Sequence, residues 1–374
     1  LQSRISFSAT AGTTYLIRAG SYSGSSSGVG AIEIGQGGSG GCTNPATGPD
    51  VIVGAIPNIS NYGALGGMAS YALGTTSCNV GDAELLWIAG NNQHPVIGQN
   101  IYRLENGRFE QIGMSWLKHG FTALQQNLCC NCQSSGTGTR LGVGCSDPYS
   151  SGLNGSQSGL GPRFQVNAFT GGFSYPYFAQ GQSGDRIYKR IQVPNSDVDP
   201  NTRPSAMFFG EAQYIAPDDA AAGNGFNNVS WVRLNRSSFG FGLSIGGATT
   251  REQGAIYAWR QFEPNVTLRE VNVPNEGQFV VGSNAIDLGN GAWRYEYAIF
   301  NNNSHYSGES FTVSLGAGVV PINIGHSFPH YHSGEPFTNA DWDVTVNAGS
   351  ITWATDPFMI NQNANALRWG TTYS

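Results

Sequence analysis

Apolar and polar residues alternate along much of this chain in short runs bounded by Gly, Asn and Ser. A period of two is the signature of half-buried β-strands, not of helices. Arg4-Ile5-Ser6-Phe7-Ser8 alternates, breaks at Ala11-Gly12 and resumes as Thr13-Thr14-Tyr15-Leu16-Ile17; after a Gly/Ser loop, Ala31-Ile32-Glu33-Ile34 repeats the pattern. Asp50-Val51-Ile52-Val53-Gly54, Phe311-Thr312-Val313-Ser314-Leu315, Trp342-Asp343-Val344-Thr345-Val346 and Ser350-Ile351-Thr352-Trp353 also read as strands. Two runs, 100–104 and 108–112, flank Asn106-Gly107, a strong signal for a two-residue hairpin turn. In the run 293–299, Trp293, Tyr295 and Tyr297 share one face while Arg294 and Glu296 share the other. Helical pattern is confined to a turn or two at Phe121 to Asn127 and at Asp218 to Ala222. The predicted class is therefore all-β: one or more β-sandwich domains with long Gly/Ser-rich loops and an incomplete N-terminal β unit.

The opening strands raise a question of cover. Their core-facing set is Ile5, Phe7, Tyr15, Ile17, Ile32 and Ile34. These six supply roughly half of the apolar burial that ordering such a segment requires. The ribbon is expected to dock on its own chain or on a neighbour, because a half-covered sheet invites another strand. Gly35-Gln36-Gly37-Gly38-Ser39-Gly40-Gly41 behind it reads as a flexible linker. The expected division is 1–35 for the incomplete unit, 36–49 for the Gly-rich linker, 50–205 for a β-rich domain with a disulfide-braced loop, and 206–374 for a β-sandwich domain, with a soft boundary near Asp197-Val198-Asp199-Pro200. Leu1 is not an initiator methionine, so a leader and more upstream sequence are expected to have been removed, or the chain is a fragment.

Composition narrows the class. Only 11% of the 374 residues are charged, against ≈ 25% in ordinary domains, while 53 are Gly. Eight Trp, 16 Tyr and 19 Phe provide core and argue against disorder. A net charge of -6 offers no attraction to nucleic-acid phosphates. No apolar run reaches the length of a membrane span. The even set Cys42, Cys78, Cys129, Cys130, Cys132 and Cys145 points to disulfides and to a secreted, extracellular or cell-surface location. Six cysteines allow 15 connectivities. The simplest expectation pairs Cys42 with Cys78 and leaves the other four to staple the loop from Cys129 to Gly161.

At this point the chain resembles known proteins. Ser6 to Ile34, with Ala11-Gly12-Thr13-Thr14-Tyr15-Leu16-Ile17-Arg18, resembles the closing strands of secreted pre-peptidase C-terminal-type β-sandwich modules. The body resembles large uncharacterised secreted β-rich proteins of environmental bacteria, in Asn92-Gln93-His94-Pro95-Val96-Ile97-Gly98-Gln99-Asn100, Ser115-Trp116-Leu117-Lys118-His119-Gly120-Phe121 and His332-Ser333-Gly334-Glu335-Pro336. The resemblance implies secretion and a β fold and transfers no activity. The first module departs from its pattern by lacking the early strands.

Candidate chemistry is sparse. His326, His330 and His332 have even numbers, so an extended segment would project all three to one side as transition-metal ligands, with Glu335 nearby; Pro329 interrupts that segment. Asp197-x-Asp199-x-Asn201 resembles the start of a calcium loop, with calcium as the one candidate cofactor, although Thr202 and Phe208 stand where the central Gly and closing Glu belong. Asp218-Asp219 is a weaker acidic site. His94 and His119 read first as satisfied structural histidines; either would be a general base only with a nucleophile, none has a local signature, and Ser115 lacks the Gly-x-Ser-x-Gly elbow. Trp259, Trp293 and Trp342 lie in strand-like patterns that core packing explains first. Glycosylation sequons occur at Asn58, Asn154, Asn228, Asn235, Asn265 and Asn302 and mark expected surface. The functional expectation is a secreted, non-catalytic structural subunit of an extracellular filament, sheath or surface layer. Its partners would be copies of itself, joined head to tail by β-strand complementation. The alternatives are a secreted metal-dependent enzyme acting on polysaccharide and a carbohydrate-binding adhesin with glycan partners.

Overall fold

The computed structural model describes residues 42, 45–332 and 334–374. They belong to one compact unit, Gly38–Ser374. The all-β expectation holds: antiparallel sheets are stacked in layers and every helix is short. The assembly residues Ile5, Phe7, Tyr15, Ile17, Ile32 and Ile34, and with them the incomplete N-terminal unit, lie outside the described residues.

The central layer is a ten-stranded sheet. Its main path runs Leu243–Ile245, Val229–Arg236, Met207–Ile215, Val96–Glu105, Arg108–Met114, Ile191–Pro194, Met68–Leu73 and Ile59–Leu65. Period-two geometry sorts its side chains between two cores. From Val96–Glu105, Ile97 and Ile101 enter one core with Val51, Val53 and Tyr149, and Tyr102 and Leu104 enter another with Trp259, Val280 and Phe300. From Met207–Ile215, Phe208, Ala212 and Tyr214 join the first and Phe209 the second. A sheet of Val51–Ala55, Thr75–Asn79 and Ser146–Tyr149 covers the first face. A sheet of Thr267–Val273, Gly277–Gly289, Ala292–Asn301 and Thr371–Tyr373 covers the other. Three layers leave the central strand covered on both sides, and Val96 to Leu104 are all buried.

This sheet overturns the expected boundary between 205 and 206. Met207–Ile215 pairs with Val96–Glu105 on one side and with Val229–Arg236 on the other. A strand with aromatic residues on both faces, Phe208 and Phe209, needs cover on both, and the middle layer gives it. The soft boundary at 197–200 is the end of the one-turn helix Asn195–Val198 and the turn that follows it, not a linker between domains.

The Asn106-Gly107 turn forms as expected, with φ of 52° and 80° at its two residues. Both values lie in the left-handed region that the right-twisting hairpin demands. Helix forms at Pro217–Ala222, as expected, but not at 121–127. There the main chain is committed elsewhere: Phe121 N–H donates to Tyr149 Oη, Ala123 to Gly138 O and Leu124 to the Asp147 carboxylate. Sequence missed the helix Ile256–Phe262, whose Ile256, Ala258 and Trp259 are buried against the second core.

The disulfides are Cys42–Cys130, Cys78–Cys129 and Cys132–Cys145, so the expected Cys42–Cys78 pair is wrong. Cys78 sits in the buried strand Thr75–Asn79 and meets Cys129 where the long loop crosses it. Sequence gives no measure of that crossing.

In Ala292–Asn301 the alternation is right and its sense is inverted. Glu296 and Arg294 turn inward, toward Arg108 and the carbonyl of Asn106. Trp293 and Tyr295 point to solvent, 51% and 58% exposed. Trp259 and Trp342 are buried as expected; Trp293 is the correction.

Candidate functional site

Residues from the stretches 92–100, 115–121 and 332–336 meet at Arg163, a residue that sequence reading did not single out. Arg163 is buried, and its guanidinium donates from Nε to Ser115 O at 2.8 Å and from Nη2 to Gln99 O at 3.0 Å and Asn100 Oδ1 at 2.9 Å. Nη1 donates to Gly370 O at 3.1 Å. Gly370 has φ of 66°, and a Cβ there would come within 2.8 Å of Nη1. Glu335 reaches the same residue from the other side: Oε1 accepts the main-chain N–H of Arg163 at 2.6 Å, and Oε2 that of Phe164 at 3.2 Å. These are free donors of the short helix Arg163–Gln165, so a carboxylate there is well placed. His332 Nε2 donates to Met114 O at 2.6 Å.

A second buried carboxylate extends the network. Glu211 Oε1 accepts from Asn100 Nδ2 at 2.7 Å and Tyr102 Oη at 2.8 Å, while Oε2 accepts the N–H of Ala255 at 2.6 Å. Lys189 is likewise buried; its ammonium donates to the carbonyls of Gln157, Ala179 and Gln182. The charged groups of the hub thus hold main chain from distant parts of the sequence, and their chemistry is positional. A small cleft beside the hub, lined by Phe164, Phe337, Arg368 and Trp369, is formed by side chains already engaged: the Arg368 guanidinium stacks on Phe337 at 3.2 Å and donates to Gln362 O and Ala364 O.

His94 and His119, read first as satisfied structural histidines and only second as general bases, bond to each other. His94 Nδ1 donates to Ile88 O at 3.1 Å, and its Nε2 lies 2.9 Å from His119 Nδ1. His119 stacks on Tyr177 at 3.6 Å. Ser115 Oγ donates to Trp116 O, away from both rings.

The transition-metal set is not assembled. His332 is buried on Met114 O, His326 Nε2 accepts the N–H of Trp342 at 3.0 Å, and His330 is exposed. Residues 315–342 form no strand, so even numbering does not put the rings on one side. Among the described residues no cluster of His, Cys, Asp or Glu is arranged to hold a metal. The residues of the calcium reading are engaged within the chain. Asp197 pairs with Arg103 and Arg203, and Asp199 Oδ1 accepts from the N–H of Asn201 at 2.9 Å and from its Nδ2 at 3.0 Å, which is an Asx-capped turn. Asp218 and Asp219 accept the N–H groups of Leu86 and Val51 and anchor strands. Of the sequons, Asn58, Asn235 and Asn265 are exposed. Asn154, Asn228 and Asn302 are buried and donate to Leu73 O, Asp219 and Phe226 O, so their side chains are structural.

Burial shifts these groups in opposing directions. It raises the carboxyls of Asp147, Asp219 and Glu335 to about 7. It lowers His332 to about 4, and burial with the neighbouring His94 lowers His119 to about 2. Between pH 7 and about 4.5 the folded carboxyls keep protons that the unfolded chain has released, so acidification stabilises. Below about pH 6.5 the unfolded histidines take up protons that the folded ones refuse, which opposes the gain and alone persists below about pH 4.5. The thermal midpoint is expected to peak near pH 5. A midpoint that climbs steadily from pH 5 to pH 8 would show these burial effects to be misread.

The exposed features lie elsewhere. Ser310–Ser314, Ser350–Ala354 and Asp343–Asn347 form a small sheet in which Asp343–Asn347 is an outer strand. All five of its residues are exposed, with Val344 at 41% and Val346 at 48%. Among the described residues no strand pairs with its outer edge.

Fold and site together define a disulfide-braced, all-β protein with a buried polar hub that bonds main chain from several distant segments. Compared with family models, curated proteins and solved structures, the chain matches none.

Proposed function

We propose that the protein is a secreted, non-catalytic structural subunit of an extracellular filament, sheath or surface layer, and that subunits join by β-strand complementation. One observation carries the reading: Asp343–Asn347 is exposed on both faces and, among the described residues, open along one edge, while the start of the chain offers strand-like segments short of cover. Donor and acceptor are different surfaces, so the contact is heterologous and propagates if it does not close. Three disulfides suit an oxidising exterior, and Asn58, Asn235 and Asn265 remain accessible for glycan. Deleting residues 1–35 should abolish polymers seen by electron microscopy while leaving the body's unfolding transition in place. Polymers that survive the truncation would reject strand complementation.

The adhesin alternative draws on a separate observation, the exposed Trp293 and Tyr295 two residues apart on one strand face. Aromatic rings so placed stack on sugars. Glycan retention by soluble monomers, lost on Trp293→Ala, would favour that reading over assembly.

A further inference from the structure

We infer that the acceptor is the outer edge of Asp343–Asn347 and that the donor is Arg4-Ile5-Ser6-Phe7-Ser8 of a second copy. This rests on the strand-complementation reading above and names its two partners. Pairing in the small sheet sets Phe311, Trp353 and Val344 in one row and Val313, Ile351 and Val346 in the next, on the same face. On the other face Thr312, Thr352 and Thr345 make a hydroxyl row, with the first two oxygens 2.8 Å apart. The apolar face is covered at Ile351, 7% exposed, and bare at Val344 and Val346. A fourth strand that continues these rows needs an apolar, a small polar and an apolar residue in succession.

Ile5-Ser6-Phe7 has that order, with Ser6 fitted to the threonine row. The other pairs fit less well: Leu16 stands between Tyr15 and Ile17, and Glu33 between Ile32 and Ile34. Leu16 would meet the hydroxyl row, and Glu33 would lie near Asp343. Charge points the same way. Residues 1–41 carry Arg4 and Arg18 against Glu33, whereas the exposed carboxylates of residues 297–374 are Glu309, Asp341, Asp343 and Asp356, against the partly buried Arg368. Arg4 flanks the donor core as Asp343 flanks the acceptor core. The leading segment ends at Cys42, tied to Cys130 beside cysteines that brace the first core. Asp343–Asn347 belongs to a sheet packed on a separate core of Trp342, Leu367 and Tyr373. The root of the donor and the acceptor edge are therefore distinct patches, which suits exchange between copies.

Ser6 and Thr345 are the middle residues of the two five-residue segments, so pairing would set them opposite each other in either a parallel or an antiparallel arrangement. Full-length Ser6→Cys and Thr345→Cys proteins, prepared separately and mixed under mild oxidation, should give an intermolecular cross-link. Glu270→Cys, on the edge strand Thr267–Val273, should give less than a tenth as much when mixed with Ser6→Cys in the same way. Full-length Val344→Lys/Val346→Lys, which alters exposed positions and should keep its circular dichroism, should lose at least nine-tenths of its polymer. Equal cross-linking of Ser6→Cys to the Thr345→Cys and Glu270→Cys proteins, or normal polymers from the lysine variant, would overturn this acceptor. A cross-link formed only within one molecule of the Ser6→Cys/Thr345→Cys double variant would overturn exchange between copies. If the acceptor fails while deletion of residues 1–35 still abolishes polymers, strand complementation stands and its edge lies elsewhere.

Discussion

Arg163→Met is expected to destabilise the protein by about 3–5 kcal/mol, the usual cost of breaking a buried charged network by removing one partner. The substitution keeps side-chain bulk and deletes the forked donors. It strands the carbonyl of Ser115 and the amide oxygen of Asn100, and it removes one of two donors from Gln99 O, which also accepts the N–H of Ser115, and from Gly370 O, which also accepts Asn100 Nδ2. It also takes the positive charge away from the buried Glu335 and Glu211. Each orphaned acceptor costs on the order of 1–3 kcal/mol, and relaxation or entering water recovers part of the sum. Arg163→Lys should not rescue, because an ammonium cannot span the same four acceptors in a plane. Arg269→Ala, on an exposed strand position, should stay within about 0.5 kcal/mol of the parent. Urea midpoints with unchanged slopes give the comparison, and a loss below about 1 kcal/mol for Arg163→Met would show that the hub is not what joins these segments.

The second large effect is expected at the Cys78–Cys129 bridge. Its partners are separated by 51 residues, and the chain-entropy model assigns such a loop about 4 kcal/mol. Cys132–Cys145 closes only 13, for about 3 kcal/mol on the same model. Cys78→Ala/Cys129→Ala should thus be the costlier replacement, and more so because Cys78 is fully buried in the middle strand of its sheet. Urea unfolding of the two double variants decides it. An equal or larger loss from Cys132→Ala/Cys145→Ala would show that native packing, not closure of the long loop, sets the worth of these bridges.

Both sites show where sequence reasoning stopped. Gly161-Pro162-Arg163-Phe164-Gln165 has no motif, and a lone arginine among turn residues reads as surface. Its importance arises because Ser115, Gln99, Gly370 and Glu335 arrive from four other segments. The His326, His330 and His332 set fails for the related reason that a shared parity means a shared side only on a regular strand, and none forms there. Asn100, Ser115 and Glu335 come from three separate stretches of sequence, and nothing local in any of them shows that they meet.

Sequence by itself determined the class and the local grammar: alternating runs became strands, and Asn106-Gly107 became the hairpin turn. Those outcomes depend on dihedral preference and side-chain period, which act between neighbours. Only the tertiary structure decided which face of Ala292–Asn301 looks inward, how the cysteines pair, and that Met207–Ile215 joins the sheet of Val96–Glu105 across the expected boundary. Each of these depends on what packs against a strand from far along the chain, and alternation alone is the same whichever side is buried.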